Sequence, residues 1–222
     1  MKRPIDYATV LTPVFEVTLI GRARRAAWQT FLGEEDLTLE RDIGGMVEIS
    51  LSAIEAREKG LTFRELSFTL RLDEDQIFMA HAYNSRRPLA FVKRTFLRMP
   101  YYPAQITVEE RYIALNDGQS QFSATLQPSA TDVREEDEFE EWMIRLPREL
   151  RKKAASAHFV QARLAGATTH YATAGIELTH QAKAGSVWDL LEASDWQVND
   201  WLVRTAATHS RSKTYNRRDR RS

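Results

Sequence analysis

The chain has 222 residues, 43% of them hydrophobic, and its 31 lysines and arginines balance its 31 aspartates and glutamates. This length and composition suit one globular domain that buries a core without disulfides or structural metals. Zero net charge removes the overall positive field typical of nucleic-acid-binding proteins, so a nucleic acid is a disfavoured partner. The absence of cysteine excludes disulfide scaffolds, cysteine-ligated zinc, thiol catalysis and iron–sulfur clusters.

Neither a targeting segment nor a membrane span is predicted. The amino-terminal segment carries basic residues but lacks a long apolar core and a small-residue cleavage site. The apolar runs are all shorter than the roughly 20 residues that a spanning helix requires. Together with the lack of cysteine, these features predict a cytoplasmic protein with no membrane partner.

Most of the chain alternates apolar and polar side chains with the period of two that is typical of β-strands. The strands predicted in this way are 13–20, 46–55, 63–72, 76–83, 104–114, 121–129, 157–164 and 168–180. Helical spacing of apolar residues predicts helices over 22–32, 85–98 and 187–204. Because helices fall between groups of strands rather than after every strand, the pattern predicts an α+β, mainly antiparallel or barrel-like fold.

Charge is segregated in two parts of the sequence. Residues 132–141 hold seven acids and one base, and residues 145–153 hold five bases and one acid. Charge runs are typical of solvated helices and loops, so 132–153 is predicted to be a charged insertion in a single domain spanning 1–209. Residues 210–222 hold six bases and one acid, and we expect this tail to be disordered.

The standard motifs of nucleotide, hydrolase and metal sites are absent. The sequence contains no GxxxxGK[ST], GxGxxG, GxSxG or HExxH pattern. The five histidines have no metal-ligand spacing, so neither a metal nor another cofactor is predicted. The acids of 135–141 lie in the solvated run and lack the apolar surroundings that would raise the pKa of a catalytic carboxyl group.

Glu65 is a better candidate for a functional acid because it lies within a predicted strand. The alternation of FRELSFTL places Glu65 on the face opposite Leu66, Phe68 and Leu70. If those three side chains enter a core, Glu65 faces either solvent or the lumen of a barrel. The pattern alone leaves both possibilities open.

The segment 78–105 concentrates aromatic and basic side chains. It contains His81, Tyr83, Asn84, Lys93, four arginines that include Arg94, and the pair Tyr101-Tyr102. Aromatic rings interleaved with bases can stack on single-stranded nucleic acid, line a cavity, or pack a helix on a sheet. The residue types do not choose among these three uses.

The order of elements in this part of the chain resembles the acetoacetate decarboxylase superfamily. FRELSFTLRL leads through a hairpin to AHAYNSRRPLAFVKRTFLRMPYYPAQITV. In that family, a glutamate-bearing strand leads through a second strand and a short helix to Gly-x-Pro-Lys-Lys. The corresponding residues here are Arg98-Met99-Pro100-Tyr101-Tyr102, which makes the chain more similar to bacterial members with a Pro-Tyr-Tyr segment. The resemblance covers residues 46–126.

The resemblance implies a cone-like β-barrel with peripheral helices around a small cavity, and it implies that Glu65 faces that cavity. In the decarboxylase, the first lysine after the proline forms a Schiff base with the substrate. Tyr101 and Tyr102 occupy both lysine positions here, and a phenol cannot form an iminium. Classical Schiff-base decarboxylation is therefore disfavoured. Lys93 corresponds to a position on the preceding helix, and the sequence does not show whether its amine reaches the pocket.

One hypothesis is an enzyme with altered chemistry that acts on a small carboxylated or carbonyl-bearing molecule. Glu65 and Tyr101 would then be catalytic and handle protons. Arg94 or a neighbouring arginine would bind the carboxylate as a bidentate partner, and His81, Tyr83 and Tyr102 would complete the substrate-binding group. No cofactor is required for this chemistry.

Two other hypotheses remain open. The same residues could line the pocket of a non-catalytic small-molecule-binding barrel, which needs no reactive nucleophile. Alternatively, the barrel could be the scaffold of an interaction protein that docks a partner through 132–153 and the basic tail. Edge strands would also give the chain a route to a homo-oligomer, although the sequence fixes no number of subunits.

Overall fold

The computed structural model describes residues 7–39, 44–127, 133–150, 158–172 and 175–216. Three helices are present in these ranges: α1 (Arg25–Glu34), α2 (Arg87–Thr95) and α3 (Val187–Ala193). The strands are β1 (Tyr7–Arg24), β2 (Met46–Glu58), β3 (Leu61–Arg71), β4 (Gln76–Asn84), β5 (Tyr101–Pro103), β6 (Gln105–Glu109), β7 (Tyr112–Asn116), β8 (Gln121–Leu126), β9 (Val133–Arg145), β10 (His158–Tyr171), β11 (Ile176–Gln181), β12 (Gln197–Ser212) and β13 (Tyr215–Asn216). No helix in the described ranges combines the length and the apolar character that a bilayer crossing would require.

A nine-stranded sheet closes on itself to form the barrel. Its strand order is β12-β1-β2-β3-β4-β9-β10-β13, with β5 added beside β4, and β10 also pairs with β12. The pairs β4–β5 and β4–β9 are parallel, and the other pairs in this sheet are antiparallel. Closure removes most of the unpaired strand edges that would otherwise invite aggregation. The predicted α+β, mainly antiparallel barrel is confirmed.

The main hydrophobic core lies outside the barrel, between its convex face and a second sheet. This four-stranded sheet has the order β11-β8-β7-β6. Leu66, Phe68 and Leu70 of β3 pack in one cluster with Ile113 and Phe122 of the second sheet. Each such side chain contributes about 1.5–3 kcal/mol when it is fully buried. The period-two alternation therefore turns the intervening side chains of β3 toward the lumen.

Two tryptophans anchor the helices on this core. Trp28 of α1 stacks on Phe68 with ring centroids 5.7 Å apart. Trp188 of α3 stacks on Phe122 at 5.0 Å and meets the edge of Phe68 at 5.9 Å. Both indole rings are completely buried. These contacts explain why the short helices α1 and α3 hold their places against the barrel.

The predicted helix over 187–204 is wrong beyond Ala193. The helix ends at Ala193 with Ser194 as its C-cap, Asp195 adopts a left-handed φ of 55°, and the chain then enters β12. The apolar residues of this segment fit a helical period as well as a strand. The segment forms a strand because it pairs with β1 on one side and with β10 on the other. The predicted strand over 104–114 is likewise a hairpin, because β6 and β7 turn back at Glu110.

The two charged segments are also part of the barrel. The prediction of a solvated insertion over 132–153 is wrong for β9, which pairs along its whole length with β10. The prediction of a disordered tail is wrong for 210–216, which hold the end of β12 and the strand β13. The alternation of β9 explains this outcome, because Glu138 and Glu140 share one face and both accept hydrogen bonds from the buried Arg204. Residues 151–157 and 217–222 lie outside the described residues.

Candidate functional site

The barrel lumen holds a cavity of about 160 Å³. Its walls differ in chemistry. One wall, from β1, β2 and β3, carries small hydroxyl side chains: Thr18, Ser50, Ser52, Ser67 and Thr69. The opposite wall, from β4, β9 and β10, is mainly apolar: Ile77, Met79, Trp142, Ile144, Ala162 and Leu164. A ligand of this cavity would meet a polar surface on one side and an apolar surface on the other.

Glu65 is buried at the end of the hydroxyl wall and is the centre of a hydrogen-bonded cluster. Its Oε1 accepts hydrogen bonds from Nδ2 of Asn84, at 2.8 Å, and from Nζ of Lys93. Its Oε2 accepts from the hydroxyl of Tyr101, at 2.8 Å, and from Nη1 of Arg211, at 3.4 Å. The same Nη1 also donates to the Tyr101 hydroxyl oxygen at 2.7 Å. Both carboxylate oxygens therefore have two donors each.

The strand β5 brings Tyr101 to this cluster. After α2, Arg98 turns the chain with a left-handed φ of 53°, and the carbonyl of Pro100 accepts a hydrogen bond from Ala82. β5 then runs parallel to β4 with Tyr101 opposite Ala82 and Tyr102 opposite Tyr83. Because successive side chains alternate across a sheet, the two adjacent tyrosines point to opposite faces.

Charge fixes the protonation of the cluster. Burial alone would raise the pKa of Glu65, but the charges of Lys93 and Arg211 lower it to about 2. Burial raises the pKa of Tyr101 above its ordinary value, although Arg211 opposes the shift. Burial also lowers the pKa of Lys93 against the attraction of Glu65. At neutral pH the cluster therefore holds an ionised Glu65 and a neutral Tyr101.

The other predicted site residues form a separate group on the outer face of β4 and β5. His81 stacks on Tyr102 with centroids 4.2 Å apart, and the guanidinium of Arg94 lies 4.0 Å from the Tyr102 ring centroid. The Tyr83 hydroxyl accepts a hydrogen bond from Trp188 and donates one to Asp117. Burial lowers the pKa of His81 to about 4, so its ring is neutral at pH 7. This group does not converge with Glu65 and Tyr101.

Arg211 is the part of the site that the sequence analysis missed. It lines the cavity, and its side chain is 21% exposed. Among the described residues, its Nη1 alone makes hydrogen bonds, so Nε and Nη2 have no protein partner. Glu65, Lys93 and Tyr101 lie behind it rather than in the cavity lining. The alternating residues THSR, which end at Arg211, could have indicated that a strand extends this far. The basic residues that follow made the segment look like a disordered tail.

A second arginine beside the lumen, Arg204, differs from Arg211 in its hydrogen bonds. Arg204 is 2% exposed. Its Nε donates to Thr168 at 2.7 Å, its Nη1 to Glu16 at 3.4 Å, and its Nη2 to Glu138 and to Glu140. All three nitrogens are therefore occupied, and Arg204 ties β1, β9, β10 and β12 together.

Three side chains near Arg204 have the spacing of metal ligands. One donor atom each from Glu136, Glu138 and His170 lies within 4.8 Å of the others. Glu138 is already bonded to His170 and to Arg204, whose charge neutralises it. The geometry therefore explains the cluster as an ion-pair network and gives no reason to place a cation there.

Comparison with known proteins finds similarity in structure and none in sequence. No family model matches the chain, and no curated protein matches it in sequence. An acetoacetate decarboxylase-like enzyme from Sphingomonas wittichii RW1 superposes with a TM-score of 0.53 at 12% identity, covering 96% of this chain and 94% of that one. The enduracididine biosynthesis enzyme MppR gives 0.58 at 12% identity, over 96% and 89%. An acetoacetate decarboxylase from Legionella pneumophila gives 0.56 at 11% identity, over 96% and 89%.

These superpositions extend over nearly the whole of each chain, so the likeness concerns the complete barrel and not one motif. It agrees with the closed antiparallel sheet, the peripheral helices and the lumen described above. The chain therefore has the acetoacetate decarboxylase-like fold.

Proposed function

We propose that the protein binds a small carbonyl compound bearing a carboxylate in the barrel lumen, without a covalent imine. The observation that carries the proposal is Arg211, a lumen guanidinium with two nitrogens that no described residue uses. Two parallel N–H groups of a guanidinium match the two oxygens of a carboxylate. The predicted carboxylate-binding role of Arg94 passes to Arg211 in this proposal, because Arg94 lies on Tyr102 outside the lumen.

Glu65 and Tyr101 act in this proposal by positioning Arg211. Both hold its Nη1, and this leaves the other edge of the guanidinium free for a ligand. A carboxyl group with a pKa of about 2 is a weak base at neutral pH, and a phenol with a raised pKa is a weak acid. These protonation states favour a binding and orienting role over proton transfer by these two residues.

The cavity also limits the rest of the ligand. Its volume of about 160 Å³ suits only a small molecule. The hydroxyls of Ser50 and Ser67 have no hydrogen-bond partner among the described residues, and both line the polar wall. They can donate to a carbonyl oxygen, while the aliphatic part of the ligand packs on the Met79 and Trp142 side.

The structural neighbours support a test with keto acids. One structure of MppR holds the condensation product of pyruvate and imidazole 4-carboxaldehyde. The panel for titration calorimetry therefore contains pyruvate, acetoacetate and, as ligands without a carboxylate, acetone and methyl acetoacetate. We expect binding of an acid but not of its uncharged analogue.

The matched variants are Arg211→Gln in the lumen and Arg57→Gln on the exposed surface of β2. A hydrogen bond to a charged group is worth about 1.5–3 kcal/mol, so Arg211→Gln should weaken binding by roughly 10- to 150-fold. Arg57→Gln should bind as the wild type does. Wild-type failure to bind any acid, or equal binding by a folded Arg211→Gln protein, would contradict the proposal.

Catalysis on the bound compound is the second candidate function, and Lys93 is the observation that favours it. Its amine lies 4.6 Å from the Tyr101 ring centroid, and burial lowers its pKa against the attraction of Glu65. The neutral amine would attack the carbonyl carbon, and the carbonyl oxygen would leave as water. Incubation with each keto acid, reduction with borohydride and intact mass measurement test this step. An adduct on Lys93 would establish it, and the absence of any adduct leaves the non-covalent proposal.

A further inference from the structure

A histidine stands next to Arg211 in the lumen. His209 and Arg211 lie two residues apart on β12, and both line the cavity. Alternate residues of a strand share a face, so the imidazole and the guanidinium project from the same wall. The His209 side chain is 11% exposed, which leaves it mostly shielded from bulk water. The guanidinium that carries the proposed function therefore has a titratable neighbour without an assigned role.

A buried carboxylate holds the His209 ring. Its Nε2 lies 3.0 Å from Oε2 of Glu16, which is buried on β1. Glu16 also accepts hydrogen bonds from the hydroxyls of Thr18 and Ser52, at 2.8 Å each, and from Nη1 of Arg204 at 3.4 Å. The carboxylate is thus fixed from several sides, and through it the orientation of the ring is fixed as well.

This contact determines which nitrogen of the neutral ring is basic. Burial alone would raise the pKa of Glu16, but the positive charges of protonated His209 and of Arg204 lower it, so the carboxylate is ionised at neutral pH. An ionised carboxylate can only accept a hydrogen bond, so Nε2 carries the hydrogen. Nδ1 is then the basic nitrogen, and it has no hydrogen-bond partner among the described residues.

The hydroxyl wall connects the histidine to the proposed ligand site. Ser52, which donates to the carboxylate partner of His209, lies directly opposite Ser67 in the pairing of β2 with β3. Ser67 is two residues from Glu65, which holds Arg211. The two charged pairs therefore flank adjacent serines of one wall. A keto acid with its carboxylate on Arg211 and its carbonyl oxygen on this wall occupies the space that His209 also lines.

We propose that His209 is a catalytic base that removes a proton from C3 of a bound 2-keto acid, and that Glu16 positions its ring. This inference rests on the proposed function, because Arg211 must first hold the carboxylate. Nδ1 takes the proton, and the electron pair of the C–H bond becomes the C=C bond of an enolate. The negative charge moves to the carbonyl oxygen, to which the hydroxyls of Ser50 and Ser67 can donate. The proton then returns to C3 or exchanges with solvent.

Proton NMR in heavy water measures this step with pyruvate and 2-oxobutanoate. The wild type should replace the C3 hydrogens with deuterium faster than buffer does. In 2-oxobutanoate one of the two C3 hydrogens should exchange first, because a fixed base reaches the carbon from one side. General-base catalysis contributes about 10²- to 10⁴-fold, so His209→Gln should slow exchange by about 100-fold or more. The glutamine amide can still donate to Glu16, so pyruvate affinity in calorimetry should stay close to that of the wild type.

The controls separate a chemical role of the ring from a structural one. His180→Gln is the matched variant, because His180 also contacts a glutamate, Glu192 at 3.6 Å, but lies exposed on the second sheet. This variant should exchange C3 hydrogens as the wild type does. Imidazole added to His209→Ala should restore part of the exchange, which a structural role would not allow. Circular dichroism verifies that every variant is folded.

The positioning role of Glu16 has a spectroscopic readout. Nitrogen NMR at a pH where the ring is neutral should show the hydrogen of His209 on Nε2. In Glu16→Gln the amide can donate to the ring, so the other tautomer should appear and exchange should slow while pyruvate still binds. A wild-type ring with its hydrogen on Nδ1 would contradict this role.

The outcomes distinguish this inference from the proposed function. Binding of the keto acids without exchange of C3 hydrogens, or unchanged exchange in a folded His209→Gln protein, would overturn the inference and leave the proposed function standing. Failure of the wild type to bind either acid would overturn both.

Discussion

Two arginines reach the lumen of the same barrel and differ in how many of their nitrogens the protein uses. Arg204 donates hydrogen bonds from all three nitrogens, to Thr168 and to three carboxylates. It therefore acts as a cross-tie, a side chain that joins several strands. Within the described part of the chain, Arg211 donates from Nη1 only, to Glu65 and Tyr101. The difference shows that burial of a charge does not by itself mark a binding group. An arginine can receive a ligand when its partners hold one edge and leave the other edge free.

The largest expected effect comes from removal of the cross-tie. Arg204→Met leaves Glu16 buried, and its remaining partners among the described residues are His209 and the hydroxyls of Thr18 and Ser52. Breaking a buried ion pair from one side costs about 3–5 kcal/mol, so the free energy of unfolding in urea should fall by about that amount. Arg211→Met should cost less, because Glu65 keeps Lys93, Asn84 and Tyr101. Equal losses in the two variants would contradict the distinction between them.

The dependence of stability on pH should show the effect of the cluster around Glu65. Its pKa is about 2 in the folded chain against 4.5 as the ordinary value, so its contribution to stability is present above pH 4.5 and is lost as the pH falls toward 2. A shift of this size corresponds to about 3 kcal/mol. Glu65→Gln should be less stable than the wild type at pH 7 and should lose less stability between pH 5 and 2.

Chemical denaturation at a series of pH values measures this difference. Glu55→Gln, which removes a half-exposed carboxylate paired with Arg64, is the control and should follow the wild-type profile. A Glu65→Gln profile parallel to that of the wild type would show that folding does not lower the pKa of this carboxyl group.

The smallest expected effect separates the two adjacent tyrosines. Tyr101→Phe removes the hydroxyl that joins Glu65 to Arg211, and the free energy of unfolding should fall by about 1–2 kcal/mol. Keto-acid binding should weaken with it, because Arg211 loses one of the two groups that orient it. Tyr102→Phe removes a hydroxyl whose contact with Glu149 is 3.4 Å long and exposed. Calorimetry should therefore find wild-type binding in this variant, and a weakened Tyr102→Phe protein would place the site on the outer face.

The sequence predicted the architecture well where alternation carried the signal. FRELSFTL placed Leu66 and Phe68 on one face and Glu65 on the other, and the structure puts the first two in the core and Glu65 beside the lumen. The order of elements around Pro100 predicted the barrel, and the superpositions confirm this fold. The sequence analysis did not separate Glu65 from the outer group of His81, Tyr83, Arg94 and Tyr102. The strand β5 determines which of the two tyrosines faces inward, and three residues are too few to show a period-two pattern.

The features that the sequence did not predict depend on contacts between residues far apart in the chain. Nothing local distinguishes the basic residues of β12 from those of a disordered tail, and the strand exists because β1 and β10 flank it. Arg211 meets Glu65 across 146 positions of sequence. The acids of β9 were likewise interpreted as solvated, since the cation that pairs with Glu138 and Glu140 lies far along the chain at Arg204. Pairings of this kind follow from barrel closure, which composition does not show.

The most direct test of the account is a crystal structure of the protein with a bound keto acid from the calorimetry panel. The account predicts the carboxylate within hydrogen-bond distance of Nε and Nη2 of Arg211, with Nη1 still bonded to Glu65 and Tyr101. The carbonyl oxygen should face the serines of β2 and β3. A carboxylate bound at Arg94 on the outer face, or anywhere outside the lumen, would contradict the account.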